Sequence, residues 1–536
     1  MNTQGEPPAP AAPIAAPAPP TSIPWMGLLA VLLGTFISTL TTRLSSFGLA
    51  DIRGAVHAGF DEGAWITTAQ TVGQMLVAPL AIWLGGVYGP RQVLIKAATA
   101  MAIVSVIEPF SPNLQTLLGL QFAGGLASGF FVPLTLSFIL RNTPPKAWAY
   151  GIAIYALNLE VSLNVSASLE GWYLEHLSWA WIFWQNVPLA ASMALCLRFG
   201  VHPDPVNPTR PPADIFGLAS GGIALALIYA ALDQGNRLDW SSSGLVWGLV
   251  LAGTLLLTAF LVHELHTPHP GVDLRIALAS PLPRLLLLIA FLRLTILSTS
   301  YAIPQFLQVV RGFRALEVGQ TLMWIAVPQL LVCLAAGYLL RRIDPRLVAS
   351  VGFICICCAC LMVAHGLTPV WGTDQFLPSS LLQSVGQSFA LSAIVFFAIL
   401  HLRPQDAITF GAATQVTRLM GGEVGTAFIV TFIRVRSQIA SNLLGQHVQI
   451  GDGQVAQRLQ AYAAATASAG NSSSGSARGA AVLGSVVHSM AVTQGIIDAF
   501  VVIAALTAVT LIIIVTRKAA PPGPASHVSP FAPRLP

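Results

Sequence analysis

Glu160, Asn164 and Ser168 stand four residues apart in "YALNLEVSLNVSASLEG" (155–171). In a helix this spacing places all three on one face, and the residues around them are apolar. A carboxyl group at membrane depth either carries a proton or finds a partner. One that takes up a proton on one side of a membrane and yields it on the other is what a proton-coupled exchanger requires. Four more ionisable residues lie deep in apolar runs: Arg43, Arg293, Arg418 and Glu423. Glu170, Asp233 and Asp498 lie nearer run ends. Arg293 and Arg418 are suited to an anionic group of a substrate or to a structural ion pair. Glu423 is a second proton-coupling candidate, its other reading being a neighbour that balances Arg418.

Spans of about 20 residues cross roughly 30 Å of hydrocarbon as helices. Fourteen apolar runs qualify, near 25–49, 64–87, 92–110, 114–140, 148–172, 179–199, 214–233, 243–263, 283–308, 318–340, 347–368, 377–401, 408–433 and 492–516. They lack the period-two alternation of barrel strands. Counting 1.5 Å per residue from Trp25 and Trp148, Arg43 is roughly 27 Å deep and Glu160 roughly 18 Å. The long arginine side chain and helix tilt make an Arg43–Glu160 pair feasible. Snorkelling of Arg43 to the nearer interface and a direct substrate role are the alternatives.

Composition agrees with a membrane chain: 54% of the 536 residues are hydrophobic and 9% charged, against about 25% charged in soluble domains. Mean hydropathy is +0.72. The net charge of +5 is scattered over loops, which leaves no basic stripe for nucleic acid. All six cysteines lie in apolar runs, and "CICCAC" (355–360) has no His or carboxylate neighbours, so neither disulfides nor a metal are expected. No GxxxxGK[ST] phosphate loop occurs and no soluble stretch could house a nucleotide domain, which excludes an ATP-driven pump in this chain. No catalytic residue and no cofactor are expected.

Basic residues orient the spans. The loops after even-numbered spans and the C-terminal flank hold Arg91, Arg141, Lys146, Arg198, Arg210, Arg275, Arg284, Arg341, Arg342, Arg346, Arg403, Arg517 and Lys518. The short loops on the opposite side hold mainly Arg53, Arg237, Arg311 and Arg314. Both termini are therefore expected in the cytoplasm. Residues 1–24 and 517–536, rich in Pro and Ala, read as disordered cytoplasmic tails. Residues 434–491 read as one long, flexible external loop in which "QVAQRLQAYAAATA" is helical. A weak internal echo relates "WLGGVYGPRQVL" (83–94) to "YLLRRIDPRLVA" (338–349), and "LQFAGG" (120–125) to "LQSVGQ" (382–387). It suggests two related halves, 25–200 and 271–516, flanking two additional spans within 201–270. The glycine pairs Gly125/Gly129 and Gly421/Gly425 read as helix-packing positions.

Local phrases carry a resemblance. "AWITTAQTVGQMLVAPLAIWLGGVYG", "SWAWIFWQNVPLA" (178–190), "LDQGNRLDWSSS" (232–243), "ELHTPHPGVDLRI" (264–276) and "TRLMGGEVGTA" (417–427) follow one another in the chain. Together they resemble the fourteen-helix drug:proton antiporter branch of the major facilitator superfamily, the EmrB/QacA-like multidrug efflux permeases, from about Trp25 to Lys518. The resemblance implies an all-α integral membrane fold of two six-helix bundles plus two helices. It implies alternating access, proton-driven export of hydrophobic or amphipathic compounds, an inner-membrane location, and work with an EmrA-like periplasmic adaptor and an outer-membrane channel. It also marks Gly89, Arg91, Gly171, Asp233 and Asp239 as structural motif positions.

The chain departs from the family where the family usually carries charge. Thr41 stands where the first helix has an acid, Arg43 where it has a small polar residue, and Gln121 where the fourth helix has an arginine. The G-P-x-x-G-G run of the fifth helix reads "SASLEG" (166–171), keeping Gly171 and small residues. Gly86 replaces the acid of the loop after the second helix. The reading is an exporter of hydrophobic or amphipathic, and by its excess of deep arginines anionic, compounds. The alternative is a same-fold exporter or facilitator of one metabolite without standard proton coupling.

Overall fold

The computed structural model describes residues 24–201, 214–267, 270–272, 274–275, 282–402, 406–448, 453–466 and 472–516, and among these it contains helices and no strand. The two expected tails lie outside the described residues, apart from Pro24. The long helices are α1 (Trp25–Phe47), α2 (Trp65–Tyr88), α3 (Pro90–Ile107), α4 (Leu114–Asn142), α5 (Trp148–His176), α6 (Asn186–Gly200) and α7 (Ile215–Gly235). They continue with α8 (Gly244–His266), α9 (Leu282–Val309), α10 (Ala315–Leu340), α11 (Pro345–Gly366), α12 (Leu377–Ile399), α13 (Ala407–Gln446) and α14 (Ser472–Val515). Among the described residues, thirteen helices are long and apolar enough to cross a membrane. The expected span at 179–199 is shorter: Trp181–Trp184 and Asn186–Gly200 are separated at Gln185.

Within lipid a helix must satisfy its own backbone, and polar starts mark where these helices begin. The Asn113 side chain accepts from Thr116 N at 2.9 Å to open α4, and Asp214 accepts from Gly217 N at 3.0 Å to open α7. Proline stands at the first position of α3 and α11, where its missing N–H costs nothing. Gly89, between α2 and α3, has φ 80° and ψ 149°, a region open essentially to glycine alone. Arg91 then donates to the carbonyls of Leu197 (3.0 Å) and Arg198 (2.9 Å), capping the end of α6.

Small residues let the helices approach closely. On α2 and α4, Gly73, Gly125 and Gly129 lie against the backbones of Phe122, Gln70 and Gln74. Gly421 and Gly425 of α13 lie against Ala290, Leu294 and Leu297 of α9, so both expected glycine pairs are packing positions. Gly171 of α5 meets the backbone of Leu316 on α10, Gly319 meets Ser168, and Gly337 meets Tyr150. The α5–α10 seam therefore runs the length of the bundle. In the two echoed phrases, Gly124 faces α3 and Gly386 faces α11, equivalent surroundings for equivalent positions.

The described residues within 434–491 are largely helical. α13 continues to Gln446, Gly453–Thr466 is a separate helix that takes in residues 454–466 of the expected helical stretch, and α14 already begins at Ser472. An apolar window ends where the lipid would end, whereas a helix ends only where its backbone or packing requires it. Arg436 and Asp498 join α13 to α14 by an ion pair at 2.6 Å.

Candidate functional site

Polar side chains from the first six and the last six helices meet in the middle of the molecule. Glu160 of α5 is fully buried, and neither of its carboxylate oxygens accepts a hydrogen bond from a described residue. The positive charges that act on it are Arg293 of α9 and Arg418 of α13. Arg418 Nη2 donates to Gln415 Oε1 at 2.9 Å, and its Nη1 lies 3.5 Å from Thr39 Oγ1 on α1. Arg293 runs beside Gly422, and its Nε and Nη1 donate to no described residue. Counted from the starts of α5, α9 and α13, the three charges stand at one level, roughly 17–18 Å along their helices.

Arg43 does not answer Glu160. Its Nη2 donates to the Ser300 carbonyl at 2.8 Å, and its guanidinium lies 5.4 Å from the centre of the Phe47 ring. Ser300 belongs to a π-helical turn, Ser298–Ala302, inside α9. Such a turn departs from the regular i→i−4 ladder and offers a carbonyl to an outside donor. Arg43 is thus held neither by a carboxylate nor by the interface, but by the backbone of a helix in the other half.

Beside the charges lies an amide network. Asn164 Nδ2 donates to Gln329 Oε1 (3.3 Å) and approaches Gln387 Oε1 (3.4 Å). Gln329 Nε2 donates to Gln387 Oε1 at 3.1 Å, and Gln387 Nε2 to Thr299 Oγ1 at 2.8 Å. Gln383 Nε2 reaches Ser298 Oγ at 3.0 Å. Asn164 alone of this group was predicted. Gln329, Gln383 and Gln387 had a signal, amides inside spans where an unpartnered polar group is expensive, and two of them lie in the echoed phrase "LQSVGQ". Gln121 is buried, and its amide N and O bond to no described residue. Thr41 Oγ1 lies 2.7 Å from the Ile37 carbonyl and 2.9 Å from Asn186 Oδ1 of α6.

A second polar group surrounds α7. Tyr229 donates to Glu423 Oε2 at 3.0 Å, so Glu423 turns to α7 and not to Arg418. Asp233 accepts from Thr68 of α2 and, at 2.9 Å, from Gln234 Nε2. Arg237 joins Gln234 Oε1 (2.8 Å) to Asp61 Oδ1 (2.8 Å). Asp239 has φ 60° and accepts from Ser242 at 2.7 Å, and Trp240 folds over Gly235. The motif "LDQGNRLDW" thus caps α7 and turns the chain towards α8.

A helical membrane bundle whose halves meet over a buried polar centre is the architecture of a carrier. The family model described as Major Facilitator Superfamily matches residues 31–426. The chain belongs to the major facilitator superfamily. Among its relatives, the probable multidrug resistance protein EmrY of Escherichia coli (strain K12) is 24% identical over 76% of this chain and 80% of its own length. The multidrug export protein EmrB of the same strain is 24% identical over 75% and 79%. The fatty acid resistance protein FarB of Neisseria gonorrhoeae is 22% identical over 78% and 83%. In fold, the human organic anion transporter MFSD10 has a TM-score of 0.53 at 15% identity, covering 92% of this chain and 97% of its own. The proton:xylose symporter XylE has a TM-score of 0.53 at 12% identity, covering 77% and 89%. This superfamily member is a multi-pass membrane transporter and not an enzyme.

Proposed function

We propose that this carrier exports hydrophobic or amphipathic compounds, anions among them, in exchange for protons. The observation that carries this reading is the enclosed centre where Glu160 stands level with Arg293 and Arg418. An ionised carboxylate there is matched across the halves by arginines, because α5 belongs to the first six helices and α9 and α13 to the last six. A protonated one releases them. Protonation of Glu160 therefore changes what holds the two halves together, which is how a proton biases alternating access. The excess of arginines leaves positive charge for a substrate's acidic group, and FarB, a relative named for fatty acid resistance, agrees with that class.

The proposal places the carrier in the inner membrane with both termini in the cytoplasm. The bundles are residues 25–200 and 271–516, with 201–270 supplying two more helices. It includes passage of the substrate to a periplasmic adaptor and an outer-membrane channel. The test is dye or drug efflux in inverted vesicles, with and without a proton gradient, for the natural chain and Glu160→Gln. The expected result is gradient-driven efflux by the natural chain and its loss in Glu160→Gln. Gradient-independent transport that survives the substitution would overturn the coupling role. That outcome would favour the second reading, a facilitator or exporter of one metabolite. The neutral contact of Thr41 with Asn186, where the family places an acid, is the observation on its side.

A further inference from the structure

The central arginines pose a difficulty for exchange. A proton on Glu160 frees the positive charge of Arg293 and Arg418, and an anion satisfies it, so binding of one favours binding of the other. Exchange requires the opposite. An exporter of anions therefore needs, besides Glu160, a second proton site outside the Arg293–Arg418 centre.

We infer that α7 carries that site: Tyr229 and Asp233 hold a proton with Glu423 of α13 and, through it, fasten α2 to α13. α7 lies between these helices. Leu225, Ala226 and Tyr229 pack with Val72 and Met75 of α2 and with Leu419 and Met420 of α13. Its polar contacts reach both sides. Asp233 and Gln234 bond Thr68 of α2, while Tyr229 bonds Glu423, and Asn236 Oδ1 accepts from Thr431 of α13 at 3.3 Å. Asp233 faces several donors, whereas Tyr229 is the donor to Glu423 among the described residues. The exchangeable proton is therefore assigned to Glu423. The other charged or titratable groups around the cluster are Tyr229 and Arg237 on α7, Arg43 on α1 near Tyr229, and Arg293 on α9 beside Gly422, the neighbour of Glu423. α2 presents only the hydroxyls of Thr68 and Thr71.

Loss of the proton leaves a second carboxylate near Asp233, which stands four residues along α7 from the Tyr229 that bonds Glu423, and like charges at short range separate. Uptake of the proton removes that repulsion and lets the junction close. The site lies towards the end of the molecule that carries Arg237 and Asp61, where Val56, Asp61, Glu62, Trp65, Asn113 and Arg237 line an open cavity of ≈ 740 Å³. In the proposed orientation this end is external. A proton arriving from outside then closes the outer end, and its release inside favours reopening outward with substrate. That is the order of an antiporter.

This inference rests on the proton-exchange reading, and its test separates the two. Spin labels at Glu62→Cys, just before α2, and at Arg434→Cys on α13, in a chain whose six native cysteines are replaced, report the distance between these two helices towards that end in proteoliposomes. The expected result is a population shift from short distances in acidic buffer to long ones in alkaline buffer. Glu423→Gln and Asp233→Asn each remove one of the two charges and should keep the short distance throughout. An unfolding temperature in detergent equal to that of the natural chain verifies that each variant is folded. Glu160→Gln should keep the pH-dependent shift while losing gradient-driven efflux. A wild-type distance indifferent to pH, or a full shift surviving in both Glu423→Gln and Asp233→Asn, overturns the α7 site. Loss of gradient-driven efflux in Glu160→Gln alongside either result leaves the proton-exchange reading standing without it.

Discussion

An arginine inside a membrane protein is defined by what its five N–H groups meet. Those of Arg43 meet a backbone carbonyl, those of Arg418 an amide and a hydroxyl, and two donors of Arg293 meet no described partner. Arg293 is therefore the side chain best placed to greet a substrate's acidic group. A hydrogen bond to a charged group contributes about 1.5–3 kcal/mol. Arg293→Gln should thus weaken binding of an anionic substrate roughly 10- to 100-fold, with little effect on an uncharged one of similar size. Paired transport assays with a fatty acid and an uncharged dye measure this, and equal losses for both would refute it. The cluster is partly legible in the sequence. Depth counting was applied to Arg43 and Glu160, which differ by about 9 Å. Applied to Arg293 and Arg418, it puts both level with Glu160. What no count could supply is the π turn in α9 that frees the Ser300 carbonyl for Arg43.

Helices in lipid gain no hydrophobic attraction for one another, so their seams depend on close fit. At the α5–α10 seam a side chain on Gly319 would strike the backbone of Ser168, and one on Gly171 the backbone of Leu316. Backbone cannot swing aside as a side chain can. Gly319→Leu should cost about 1–3 kcal/mol through overpacking, read as a lower unfolding temperature in detergent and reduced transport. Gly248→Leu on α8, where an added side chain meets open space, should stay within about 0.5 kcal/mol of the natural chain. Similar losses for the two would mean that the seam is not tightly packed. A third element-scale expectation concerns Gly89: its φ of 80° makes Gly89→Ala cost about 1–3 kcal/mol, by the same measurement. Helix existence was legible at this scale because apolar runs and their polar starts are local. The extent of α13 and α14 was not, since their polar turns around 434–446 and 472–491 are excluded from a hydropathy window. Nor was the role of α7, whose partners on α2 and α13 lie far away in sequence.

At the scale of the molecule, the two ends of the bundle differ in charge. In the short loops, the end carrying Arg91 also carries Arg141, Lys146, Arg198, Arg341, Arg342 and Arg346, while those of the other end hold mainly Arg53, Arg237, Arg311 and Arg314; Arg434, Arg436, Arg458 and Arg478 lie in the long stretch 434–491. Short loops with more Lys and Arg stay on the cytoplasmic side during insertion. The α7 latch works as an exchanger only if its end faces the side from which protons arrive, so orientation and mechanism stand or fall together. Single cysteines at Lys146→Cys and Ser241→Cys, both exposed, in a background without native cysteines, decide the matter. A membrane-impermeant maleimide applied to intact cells should label residue 241 and leave residue 146 unlabelled until the membrane is permeabilised. The reverse pattern would put the Glu423–Asp233 pair at the cytoplasmic end. There, proton uptake would close the wrong side, and the same residues would describe a carrier that runs inward.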